Sequence, residues 1–153
     1  MNPKNKVISY KLAREIWETA KKKGIKLPES EWWWQFEYWQ LVHGDERTYK
    51  ERFPAYGTDK LLEMLPKRVS ENRLIGDSEI FGKGKDVYLQ LEWDGERKRW
   101  WAGYYDISTG MQIEGKSAKS PAEALGKLLL YLLEKGVVKK LNKTYEQETK
   151  END

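Results

Sequence analysis

The run from Val87 to Trp93, VYLQLEW, alternates side chains with a period of two and ends in Asp94-Gly95. That period suits an extended strand, in which successive side chains point to opposite sides of a sheet. Asp-Gly supplies the backbone freedom of a hairpin turn. Residues 99–105, RWWAGYY, then return alongside. A turn of two or four residues places Trp100, Ala102 and Tyr104 on the face that carries Val87, Leu89 and Leu91. The opposite face carries Tyr88, Trp101 and Tyr105 among charges. Ser108-Thr109-Gly110 makes a second turn into a strand through Met111, Ile113 and Gly115, so the segment predicts a three-stranded antiparallel meander.

A helix must cover the apolar face. Ser120-Pro121-Ala122-Glu123 combines an N-cap serine, a first-turn proline and a glutamate at the third helical position, the arrangement of a capping box. Leu125, Leu128, Leu129, Leu132 and Leu133 follow on one broad side, and Gly136 is a natural C-cap. Val137 and Val138 pack beneath the last turn or form a short strand. Near the N-terminus, residues 9–23 read as an amphipathic helix with Leu12, Ala13, Ile16, Trp17 and Ala20 on one arc and Gly24 as its cap. Thr58 caps a short central helix carrying Leu61, Leu62, Met64 and Leu65, which Pro66 stops.

The stretch EWWWQFEYW, Glu31 to Trp39, holds six rings in nine residues. As a helix its rings would wrap nearly all round. As a strand, Trp32, Trp34, Phe36 and Tyr38 share one face and Trp33, Gln35, Glu37 and Trp39 the other. The strand is the better fit, ending near His43-Gly44-Asp45. It either extends the meander or forms a smaller sheet beside it. The expected class is α+β: one domain over residues 1–138, then a polar mobile tail or frayed helix over 139–153.

The combination of EWWWQFEYW, FPAYGTDKLLEMLPKRV, the Trp/Tyr-rich hairpin and SAKSPAEALGKLLLYLLEKG resembles small uncharacterised proteins encoded by bacteriophages and prophages. The likeness covers roughly residues 25–138 and includes Ser120, Pro121, Glu123, Ala124 and Leu125. It implies an accessory role in a host cytoplasm and carries over no catalytic residue. GYYDISTGMQIEGKSAKSPAEAL is also similar to the sheet-helix domain of some antitoxins. Lys139–Asp153 is short and polar and is not expected to form the helix-turn-helix that follows such a domain.

Chemistry is sparse. There is no cysteine, which excludes disulfides and thiol nucleophiles, and the single histidine, His43, lies at a strand end. No His pair has metal-ligand spacing, so neither metal nor cofactor is expected. Asp77, Glu79, Asp86 and Asp94 form no diagnostic catalytic pair. Gly82-Lys83-Gly84-Lys85 lacks the full phosphate-loop pattern. No run is long enough to cross a bilayer, and MNPKNKVISYK lacks the apolar segment of a signal peptide.

The eight tryptophans are the functional signal, because such rings anchor interfaces as well as cores. The candidate recognition residues are Trp33, Trp39, Tyr88, Arg99, Trp101 and Tyr105. A weaker anion site would use Lys98, Lys116 and Lys119. The leading expectation is a non-catalytic module binding a host protein or regulatory complex. Alternatives are a small nucleotide signal, stacked between rings in a homodimer groove, nucleic acid, and an enzyme of unknown class. The formal charge of +3 is too modest for a dense phosphate-binding stripe. The outer sheet rings are expected to meet the N-terminal helix or a second subunit.

Overall fold

A computed structural model describes residues 6–35, 40–43, 52–71, 74 and 85–141. Among them, three helices and two antiparallel sheets make an α+β fold with its C-terminal helix on the sheet. The helices are α1 (Tyr10–Lys23), α2 (Thr58–Met64) and α3 (Pro121–Lys135). The larger sheet runs β4 (Arg68–Ser70), β5 (Asp86–Asp94), β6 (Arg99–Tyr105), β7 (Gln112–Ala118), in that spatial order. The smaller sheet places β1 (Trp32–Gln35) between β2 (Gln40–His43) and β3 (Arg52–Pro54).

The hairpin parity is as expected. Leu89 pairs with Tyr104, Leu91 with Ala102 and Trp93 with Trp100, all on one face. Residues 95–98 form a four-residue turn, with Asp94 Oδ1 accepting the N–H groups of Glu96 and Arg97 at 3.1 and 3.2 Å. At the far end, a bulge between Tyr104 and Tyr105 shifts the pairing with β7, and Gly110 takes the left-handed conformation (φ 72°) that the second turn requires.

The inner face of this sheet carries α3, which packs on β6 and β7. Val87, Ala102 and Tyr104 meet Leu125, Leu128, Leu129, Leu132 and Leu133, all fully buried. Each such leucine contributes about 2 kcal/mol of transfer free energy. The Tyr104 hydroxyl donates to the Pro66 carbonyl at 2.8 Å, satisfying the polar end of a buried ring. Val137 and Val138 return their N–H groups to Leu132 and tuck beneath the helix end. The core continues to Leu141.

Helix α1 rests on α3 and β3, and α2 also rests on α3. The approach of α1 to α3 is close at Gly126, where an added Cβ would lie 2.7 Å from Ile8 Cγ2 and from Leu12 Cδ2. The expectation that α1 meets the outer sheet rings is therefore corrected: its apolar arc is used on α3 and the small sheet. Leu12, Ala13, Ile16 and Ala20 are buried there, and Trp17 packs edge-on against Phe53 at 5.3 Å.

Three further expectations change. The aromatic stretch is not one strand to Trp39, because Gln35 pairs with Gln40 and the chain has reversed by then. The two-residue period holds within β1: Trp34 is buried with its indole N–H on the Ile8 carbonyl at 2.8 Å, while Trp33 faces the other way. Thr58 is the first residue of α2, whose N-cap is Gly57 without a side-chain bond. Finally, Ser120 Oγ does cap the Glu123 N–H at 3.1 Å, but the Glu123 carboxylate reaches away to accept the backbone N–H of Ser9. The capping box is opened, and its glutamate instead caps α1.

Candidate functional site

Strand β6 places Arg99, Trp101 and Tyr105 on the outer face, opposite α3. Tyr88 pairs directly with Tyr105, and Arg68 lies beside Tyr88 from the edge strand β4. Tyr88, Trp101 and Tyr105 are all half-buried. Two paired glycines, Gly103 and Gly115, occupy the middle of this face. The Trp101 indole lies over both: an added Cβ would fall 2.6 Å from its Cζ2 at Gly103 and 2.6 Å from its Nε1 at Gly115. Their lack of side chains lets the indole lie down on the backbone, making a flat aromatic floor beside the two tyrosines.

Charge on this face is mixed. Glu92 pairs with Trp101 across the strands and accepts from Gln112 Nε2 at 3.2 Å. Arg99 stands opposite Asp94, which also holds Arg97 at 3.8 Å. The face thus lacks the uniform positive field that phosphate binding exploits.

The structure brings Tyr88, Arg99, Trp101 and Tyr105 onto one surface and leaves Trp33 on the other sheet. Trp33 donates to the Ser30 carbonyl at 2.9 Å and carries the Arg52 guanidinium 4.3 Å above its ring. Trp39 falls outside the described residues. The weak anion set is split. Lys98 sits in the first turn in a left-handed conformation (φ 54°), and Lys119 follows β7 at that same end of the sheet. Lys116 is inward, with its ammonium 4.7 Å from the Tyr131 ring centre, beside Lys127 and the carboxylates Glu15, Glu123 and Glu134. Sequence reasoning did not single out Arg68 or Trp17; a three-residue strand has too little periodicity to flag, and Trp17 reads as core.

Among the described residues the catalytic alternatives gain no constellation. Asp86 and Asp94 stand at opposite ends of β5. Eight residue steps separate them by roughly 26 Å, far beyond a carboxylate pair acting on one bond. Asp77, Glu79 and Gly82-Lys83-Gly84 lie outside the described residues. His43 Nε2 lies 3.7 Å from Glu31 Oε1, and its ring meets Trp32 edge-on at 5.3 Å. A cleft of about 930 Å³ is walled by Trp32, Glu29, Asp59 and Lys60 among others. Among the described residues no cluster of carboxylates and histidine could hold a metal ion, and no helix is long and apolar enough to cross a membrane.

Two titratable groups are clearly perturbed near the sheet. Asp106 is held down to about 2 by the Ser108 hydroxyl (2.7 Å), the Ser108 N–H (2.9 Å) and the Lys85 ammonium (3.3 Å). It staples the β6–β7 turn, a structural task. Burial pushes the Tyr131 phenol up, aided by Glu114; its hydroxyl donates to the Leu74 carbonyl at 2.7 Å.

Compared with protein-family models, curated proteins and solved structures, the chain matches none.

Proposed function

We propose that the protein is a non-catalytic binding module, a phage or prophage accessory protein that captures a host protein on the outer face of its larger sheet. The observation that carries this reading is Trp101 laid over Gly103 and Gly115 beside the Tyr88–Tyr105 pair, on the side opposite α3. Rigid aromatic rings give a large contact area at little entropic cost, and their polar tips fix orientation. The interleaved signs of Arg68, Arg99, Glu92 and Asp94 suit a protein partner better than a polyanion.

The test uses the folded full chain as bait in host lysate, beside Tyr88→Ala/Tyr105→Ala and a control, Glu63→Ala. A partner retained by wild type and control but lost by the tyrosine variant supports the reading. A partner held equally by all three, or nucleotide recovered from the bait in its place, overturns it.

A further inference from the structure

Trp33 has a second tryptophan for company. Together with Trp17, Ile25, Leu27, Pro28 and Pro54 it walls a cleft of about 410 Å³ between the end of α1 and the small sheet. We propose that this cleft takes a short acidic peptide segment, with an apolar side chain between the tryptophans and carboxylates on the rim.

The walls offer apolar area, the usual composition of a small binding site. The rim is cationic. Lys21 lies 4.8 Å from the Trp17 ring centre and Arg52 lies 4.3 Å from that of Trp33. Lys22 and Lys26 are exposed, and Lys26 lies in sequence between the wall residues Ile25 and Leu27. Among the described residues, Glu18 pairs with Arg14 at 2.9 Å, and Glu29 lines the other cleft. An occupant therefore meets donors and positive charge around an apolar floor, which is complementary to carboxylates flanking a leucine or phenylalanine. This site is separate from the outer sheet face, and neither Tyr88 nor Tyr105 takes part.

The test is titration of the ¹⁵N-labelled full chain with the hexapeptide EDLFED, following the indole N–H signals of its eight tryptophans. Trp17→Phe and Trp33→Phe assign the two signals concerned. The expected result is saturable movement of the Trp17 and Trp33 signals while that of Trp101 stays still. Lys21→Glu/Lys26→Glu, which alters only exposed or rim charge, weakens binding about tenfold. Tyr88→Ala/Tyr105→Ala leaves the titration unchanged, so failure here and failure of the sheet-face reading are distinguishable. No movement at millimolar peptide overturns the proposal. So does equal movement with KKLFKK, stronger movement with adenosine monophosphate, or movement on raising protein concentration alone, which marks a second copy as the occupant.

Discussion

The carboxylate of Glu123, on the first turn of α3, accepts the backbone N–H of Ser9, the N-cap of α1. One side chain thus joins the starts of two helices, through residues that are 114 apart in sequence. Ser9 Oγ meanwhile accepts the Leu12 N–H at 3.3 Å, so both ends of the Ser9 cap are engaged. Glu123→Ala should cost about 1–2 kcal/mol, as for loss of a charge-assisted cap in a partly buried place. Glu123→Gln keeps an acceptor and should cost less. Urea unfolding midpoints of the two variants check the ordering; equal losses would show that a neutral acceptor recovers nothing and that the carboxylate charge carries the whole contact.

The Trp101–Gly115 contact makes a second prediction. Gly115→Ala pushes a methyl into the indole, and the expected loss is about 1–3 kcal/mol, as for other overpacked sites. With Trp101→Ala already present, the three atoms nearest that methyl are gone and its cost should largely vanish. A double-mutant cycle by urea denaturation reads that coupling directly. Additive losses would mean that the indole does not rest on this glycine.

The elements carrying a sustained period were legible in the residues: α1, α3 and the β5–β6–β7 meander, down to the face on which Tyr88, Trp101 and Tyr105 stand. Short elements were not. Strand β4 is three residues long, too brief for alternation to show, and becomes a strand because Val69 joins the core opposite Val87. The reversal between Gln35 and Gln40 was hidden because FEYW contains none of the residues that ordinarily mark turns. Glu123 followed the local capping pattern, and its choice of Ser9 depends on how α1 and α3 dock. Of the site, the outer-face grouping could be read from parity. The separation of Trp33 from it could not, because nothing local says which sheet the aromatic stretch joins. Gly103 and Gly115 in adjacent strands were an available signal for a ring lying on the backbone.

Asp106 makes acid sensitivity specific. Its folded value, about 2, lies below the ordinary aspartate value near 4. A depressed carboxyl stabilises the fold above the unfolded value, and that stabilisation is lost as pH falls from about 4 through about 2. Asp106→Asn should therefore lower the urea midpoint at neutral pH and show a smaller deficit at pH near 2. A deficit independent of pH would assign the effect to turn geometry rather than to ionisation.

Trp34 and Trp33 are adjacent in sequence and opposite in environment, which allows a direct test of the strand period. Trp34 is buried, and its indole N–H satisfies the Ile8 carbonyl, while the Ile8 N–H in turn donates to Tyr56 at 3.0 Å. Phenylalanine at position 34 removes that donor and leaves a void where the second ring stood. The combined expectation is a loss of about 2–4 kcal/mol. Trp33 is half-buried and bonds the Ser30 carbonyl at its partly exposed site, so Trp33→Phe should cost under about 1 kcal/mol. Thermal and urea unfolding of the two variants, measured side by side, should differ by several degrees in Tm. Similar losses would mean that β1 does not present alternate residues to core and surface.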